Sequence, residues 1–177
     1  MYKRQIQGNV GVAAYGVIAN ISFVVASIYT GIAQGMQPIV SSAYGRGNIS
    51  SVKLTLKYAV VTMLAVSVLV YTCIFIFAGP ITGIFNSGNN GILQSIAEQG
   101  LKIYFTAVPF MGLNIVISMF FIAVEKAIPA QAISLLRGIV LIIPIALLMS
   151  FLASLIGVWL TLPMTEGLVA ILGIVLY

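Results

Sequence analysis

One acidic residue lies inside an apolar stretch, where an ionised side chain is costly. Glu166 occurs within the segment LPMTEGL, in the middle of the last apolar run of the chain. A carboxylate at the centre of a membrane helix costs about 2.5 kcal/mol or more on insertion scales. Burial favours its protonated form, whereas a nearby cation favours its ionised form. Glu166 is therefore a candidate for exchanging a proton or a cation, and the structural alternative is a protonated or arginine-paired carboxyl group.

Arg137 is the only basic residue well inside the preceding apolar run. Its long stem predicts that the guanidinium snorkels to the cytoplasmic face. The alternatives are that it pairs with Glu125, with Glu166 or with helix carbonyl groups.

Uncharged hydrogen-bonding side chains recur every seven residues in the first apolar run, at Asn20, Ser27, Gln34 and Ser41. Seven residues are close to two helical turns, so these side chains form one stripe, with Gln37 beside it. Polar groups in a membrane must find partners. The stripe is either hydrogen-bonding contact between helices or the wall of a polar cavity, and Asn114 adds a similar group in a later run.

Prolines interrupt the apolar runs at Pro38, Pro109, Pro144 and Pro163. Each lacks the backbone donor that a helix needs, and so frees a carbonyl group four residues earlier. We expect kinks or hinges at these positions.

The composition predicts a membrane protein. The chain has 177 residues, of which 61% are hydrophobic and 6% charged, whereas soluble domains average about 25% charged residues. In a membrane protein a net charge of +5 is explained by basic residues in the cytoplasmic loops, so it does not indicate nucleic-acid binding. One cysteine, no histidine and no aspartate argue against an enzyme, a metal cluster or a disulfide framework.

The elements that must position these residues are predicted to be five transmembrane helices, so the fold class is an all-α polytopic membrane protein. A bilayer core needs roughly 20 apolar helical residues. The predicted spans are 12–43, 57–78, 101–124, 130–152 and 156–177. Gly79-Pro80 is expected to end the second span, and residues 81–98 are expected to form a loop with short helical turns.

Basic residues orient these spans. Arg46, Lys53, Lys57 and Lys126 fall in connections that should be cytoplasmic, and Asn89 should lie outside. Lys3 and Arg4 contradict this arrangement, which suggests that residues 1–5 are foreign to the rest, residues 6–177.

The segments TGIAQGMQPIVSSAYGRGN, AISLLRGIVLIIP and GVWLTLPMTEGL resemble the carboxyl half of MATE (multidrug and toxic compound extrusion) transporters, most closely the branch of Firmicutes and similar bacteria. The resemblance implies helices eight to twelve of a twelve-helix protein with two six-helix lobes. It also implies a multi-pass protein of the bacterial inner membrane that exports small organic cations in exchange for sodium or protons, with no other cofactor. Its partners would be membrane lipid and the missing amino-terminal lobe. Without that lobe the chain is not expected to transport.

The sequence departs from the family pattern where acidic residues are expected, because the third span has none before Glu125. Two alternatives stay open: a lipid-linked sugar flippase of the same superfamily, and a non-transporting membrane anchor or assembly subunit. Substrate, coupling ion and oligomeric state are not determined by the sequence.

Overall fold

The chain is a bundle of long apolar helices. The computed structural model describes the backbone of residues 2–86 and 90–177, and the side chains of residues 11–86 and 90–177. Over these residues the structure is helical without strands, which confirms the predicted fold class. In order, the elements are α1 (Tyr2–Gly45), α2 (Ile49–Phe85), α3 (Gly91–Tyr104), a 3-10 turn (Phe105–Ala107), α4 (Val108–Ala123), α5 (Ala127–Leu135), a π-helical turn (Leu136–Val140) and α6 (Ile142–Leu176).

Four helical stretches are long and apolar enough to cross a membrane: Gly11–Gly45, Ile49–Phe85, Gly91–Ala123 and Ala127–Leu176. The second stretch contains a distorted turn at Phe77 and the third contains a 3-10 turn, but each keeps one overall direction. The chain is therefore a multi-pass membrane protein.

The fourth stretch reverses its direction inside α6. Ala153 and Ser154 leave the helical conformation, with Ser154 at φ 49° and ψ −126°. A Cβ atom on Gly157 would overlap the carbonyl oxygen of Met149, although residues eight apart in a continuous helix are separated by about 12 Å. The chain therefore doubles back between Met149 and Gly157, and the fourth stretch, Ala127–Leu176, supplies two antiparallel crossings.

The expected stop at Pro80 is wrong. α2 continues through Pro80 to Phe85, and the backbone is distorted one turn earlier, at Phe77 (φ −101°, ψ 17°). A proline ring clashes with the carbonyl group four residues before it, so it bends a helix that tertiary contacts otherwise hold. The connection to α3 is correspondingly short, and α3 begins at Gly91.

Two further prolines come after irregular turns. Pro109 comes directly after the 3-10 turn, in which Val108 N–H bonds to Phe105 O, and Pro144 comes after the π-helical turn. Pro38 lies inside α1, which runs on to Gly45. None of these four prolines ends a helix, and irregular backbone lies close to Pro80, Pro109 and Pro144.

Two helices end in the same hydrogen-bond pattern with different residues. At the end of α1, Gly47 has φ 71° and Asn48 N–H bonds to Ala43 O at 2.9 Å. At the end of α4, Glu125 has φ 61° and Lys126 N–H bonds to Phe121 O at 2.8 Å. Both are Schellman caps, and glycine is the residue that adopts the left-handed conformation without steric cost.

The core is organised around α4, which packs against α1, α2, α5 and α6. Its buried side chains include Val116, Phe120 and Phe121. From α1, the buried Tyr29 hydroxyl makes a 2.8 Å hydrogen bond with the Ser67 hydroxyl of α2. α4 therefore carries any residue on its inner face into the middle of the bundle.

Two groups of expectations fall outside the described residues. The structure does not describe Met1, the side chains of residues 2–10 or the segment 87–89. They include the suspected junction at residues 1–5 and the expected external position of Asn89.

Candidate functional site

Three of the singled-out residues meet in one buried cluster. Glu166 of α6 is 3% exposed and Asn114 of α4 is fully buried. Glu166 Oε1 accepts hydrogen bonds from Arg137 Nη2 at 2.6 Å and from Arg137 Nε at 3.2 Å. Glu166 Oε2 accepts a hydrogen bond from Asn114 Nδ2 at 2.6 Å. Both carboxylate oxygens are thus bonded, and the cluster ties together α4, the π-helical turn and the last segment of α6.

Arg137 does not snorkel, so the first expectation for it is wrong and the alternative of pairing with Glu166 is confirmed. Its side chain is 23% exposed and that of Glu166 is 4% exposed. Leaving a carboxylate unpaired at this depth costs more free energy than directing the guanidinium inward, which explains the preference. Among the described residues this is the only ion pair.

The π-helical turn places Arg137. It covers Leu136–Val140, and Leu141 N–H bonds to Leu136 O at 2.9 Å. A π-helical turn inserts one residue into a helix and so rotates the two flanking helical segments relative to each other, and such turns are frequent at functional sites. Pro144, which has no N–H to offer to Val140 O, lies in the first turn of α6.

Asn114 contributes an acceptor without a partner. Its Nδ2 also donates to Glu166 O at 2.9 Å, so the two amide protons are both directed at oxygen atoms of Glu166. The amide orientation is therefore fixed by its neighbours, and Oδ1 points away from them, buried and with no hydrogen-bond partner. An orphaned buried acceptor of this kind suits a cation or a water molecule.

The polar stripe of α1 lies outside the bundle. Asn20, Ser27, Gln34 and Ser41 are all exposed, and Gln37 is half-buried. Asn20 Nδ2 donates to Gly16 O at 2.9 Å and Ser27 Oγ donates to Phe23 O at 2.8 Å, both within α1. The structure therefore separates the stripe from the Glu166 cluster, and the stripe faces away from the helices that pack against α1.

A second polar cluster, centred on Gln94, was not predicted from the sequence. Gln94 Nε2 lies 2.9 Å from Gly79 O, 2.6 Å from Thr82 Oγ1 and 2.7 Å from Glu98 Oε1. It ties α3 to the kinked end of α2. The spacing of four residues between Gln94 and Glu98, beside Gly79-Pro80, was the available signal.

Comparisons of the sequence and of the structure with known proteins point to the same family. The MatE family model matches residues 4–148. The FAD transporter of Shewanella oneidensis is 23% identical over 164 residues, which cover 90% of this chain and 35% of that protein.

Solved structures show the same fold. An outward-facing multidrug resistance MATE family transporter of the MOP superfamily matches with a TM-score of 0.88 at 18% identity, over 96% of this chain and 38% of its own. An inward-facing structure of such a transporter matches with a TM-score of 0.86 at 16% identity, over 94% of this chain and 40% of its own. The chain thus spans about two fifths or less of the relatives it matches.

Proposed function

The chain belongs to the MatE family of membrane transporters, and from this premise we propose that it forms most of the carboxyl-terminal lobe of a secondary active antiporter. The antiporter would export small organic cations in exchange for sodium or protons across the bacterial inner membrane. The observation that carries the proposal is the buried cluster of Glu166, Arg137 and Asn114. An ionisable side chain inside a membrane bundle marks an ion or proton pathway more often than a purely structural contact.

The cluster can serve as a coupling site because Arg137 and an incoming cation compete for the same carboxylate. A proton or a sodium ion on Glu166 weakens the attraction that holds Arg137 at Oε1. The π-helical turn and the partial exposure of Arg137 allow its guanidinium to withdraw toward the interface. A turn of the Asn114 amide about its last torsion would then direct Oδ1 to the cation. The transported ion is cargo here and not a resident cofactor.

Alternating access would come from movement of this lobe as a body. The chain matches both an outward-facing and an inward-facing transporter with TM-scores of 0.88 and 0.86. Such similarity to both states supports a lobe whose internal fold changes little while it rocks against its counterpart. The counterpart would be the amino-terminal lobe, and the stripe of Asn20, Ser27 and Gln34 would line the cavity between them.

The exposed face of α1 favours an organic cation or neutral molecule over a polyanion. From Gly11 to Gly45 this helix carries no charged residue, and Arg137, which lies away from this face, is paired with Glu166. A flavin dinucleotide, which the name of the Shewanella relative suggests, carries phosphate charges that need free cationic groups. In the described part of α1 such groups are lacking, so FAD export is the second candidate.

Transport by the assembled protein tests the proposal. The chain, joined to the amino-terminal lobe of a family member, is reconstituted in liposomes with ethidium and an imposed sodium or proton gradient. Glu166→Gln keeps the side-chain shape and removes its charge, so we expect gradient-driven ethidium transport to fall at least tenfold. Glu98→Gln, which alters an acidic residue outside the cluster, should leave the rate within twofold.

Other outcomes would redirect the assignment. Transport of FAD but not ethidium would favour the second candidate, and movement of a lipid-linked sugar would favour a flippase. Correctly inserted protein that transports neither, and that responds to no ion, would support an anchor or assembly subunit.

A further inference from the structure

A groove runs along the surface between α2 and the α3–α4 stretch. It has a volume of about 320 Å³ and is lined mainly by Leu64, Val68, Tyr71, Thr72, Thr106 and Pro109. It lies where the α3–α4 stretch passes from α-helix through the 3-10 turn to Pro109. The volume is at the lower end of the range of ligand pockets, roughly 300–1,000 Å³.

A positive charge lies beyond one end of the groove. Lys102 Nζ lies 5.1 Å from the centroid of the Phe75 ring. The Phe75 ring is in turn 6.1 Å from the ring of Tyr71, which lines the groove. Lys102 and Thr106 are one turn apart and so share a helix face. The ammonium group is therefore connected to the apolar groove through the Phe75 and Tyr71 rings.

The charge of Lys102 is available to a ligand. Glu98, one turn before it, is held by Gln94 Nε2 at 2.7 Å. In the part of the chain that the structure describes, the ion pair between Arg137 and Glu166 is the only one. Lys102 thus rests on an aromatic face and forms no ion pair with Glu98, although both side chains line one surface depression.

The depth of Lys102 fits the headgroup level of a bilayer. The 22 residues after it, 103–124, contain no charged residue. A helix of this length extends about 33 Å, which matches a hydrocarbon core of about 30 Å. The polar face of α3, with Gln94, Glu98 and Lys102, would end where the hydrocarbon begins, and the groove would lie just inside it.

We propose that this surface is a binding site for an anionic phospholipid, with an acyl chain in the groove and the phosphate group on Lys102. An anionic lipid should bind more tightly than a zwitterionic one, because the Lys102 ammonium group attracts a headgroup that has a net negative charge. The site is independent of the transport proposed above, and its test does not require transport.

Lipid binding by the purified chain tests the site. The delipidated chain in detergent micelles is titrated with dioleoylphosphatidylglycerol or dioleoylphosphatidylcholine, and bound lipid is counted by native mass spectrometry. We expect the anionic lipid to bind about fivefold more tightly, the contribution of one lysine near the membrane surface. Lys102→Gln should abolish the preference, Lys102→Arg should retain it, and Lys53→Gln should not change it.

The groove is tested separately by filling it. Val68→Phe should lower the affinity for both lipids, whereas Leu69→Phe, on the same helix outside the lining, should not. Circular dichroism and a single size-exclusion peak confirm that each variant is folded. Equal binding of both lipids by the wild-type chain, an unchanged preference in Lys102→Gln, or equal effects of the two phenylalanine substitutions would overturn the proposal.

Discussion

Replacing Arg137 should destabilise the protein more than replacing Glu166, although both changes break the same ion pair. The asymmetry arises from burial, because the side chain of Arg137 is 23% exposed and that of Glu166 is 4% exposed. Arg137→Leu leaves a buried carboxyl group without its cation, at a cost of about 3–5 kcal/mol. Glu166→Gln leaves a guanidinium that can reach the interface and an amide that can still accept a hydrogen bond from Asn114. We expect that loss to be about 1–2 kcal/mol.

The double variant makes the prediction specific. Arg137→Leu with Glu166→Gln leaves no buried charge, so it should be more stable than Arg137→Leu alone by about 2 kcal/mol. The free energy of unfolding is measured by detergent titration, with the fluorescence of Trp159, the one tryptophan of the chain, as the signal. The exposed Arg46→Leu serves as the control and should change stability by less than about 0.5 kcal/mol. Equal losses in the two single variants, or a double variant equal to their sum, would refute this reasoning.

Three further predictions concern the helix ends and the topology. Gly157→Ala should destabilise the chain by about 3 kcal/mol or more in the same titration, since the added Cβ would meet the backbone at the reversal of α6. An unchanged midpoint would show that the backbone segments on either side of the reversal are farther apart. Glu125→Gly should stabilise it by about 0.5–1 kcal/mol, because glycine tolerates φ 61°, and Gly47→Ala should do the opposite; loss of stability in Glu125→Gly would point to an unrecognised role of that carboxylate. In a cysteine-free background, a membrane-impermeant thiol reagent should label Ser95→Cys but not Ser50→Cys on intact cells, and the reverse pattern would invert the predicted orientation.

Much of the architecture was predictable from hydropathy. Long uncharged runs specify membrane helices because the bilayer leaves the backbone few alternatives, so the all-helical class was predictable. The end of α2 was not predictable, because a proline ends an isolated helix but only bends one that tertiary contacts hold, and the sequence does not show which case applies to Pro80. The reversal at Ser154 lies between the predicted spans 130–152 and 156–177, and no glycine or proline stands in the turn itself. Gly157, which the close backbone approach requires, was the signal that could have supported it.

The site was predictable as a set of residues but not as an arrangement. Glu166, Arg137 and Asn114 stood out because charged and amide groups are costly in lipid. Their meeting depends on the packing of α4 against α6 and on the π-helical turn, and neither leaves a local pattern in the sequence. Arg137 could reach water or Glu166 equally well by length alone, and only the three-dimensional position of the carboxylate decides between them.

The most direct test of the proposed coupling role of Glu166 is to record ion movement caused by the substrate. Liposomes containing the chain joined to an amino-terminal lobe are loaded with a sodium- or pH-sensitive dye, and ethidium is added on one side without any imposed gradient. We predict that entry of ethidium drives sodium ions or protons in the opposite direction, and that Glu166→Gln abolishes this counterflow. Ethidium movement of equal rate without counterflow, or counterflow that persists in Glu166→Gln, would contradict the claim that this carboxylate couples the two fluxes.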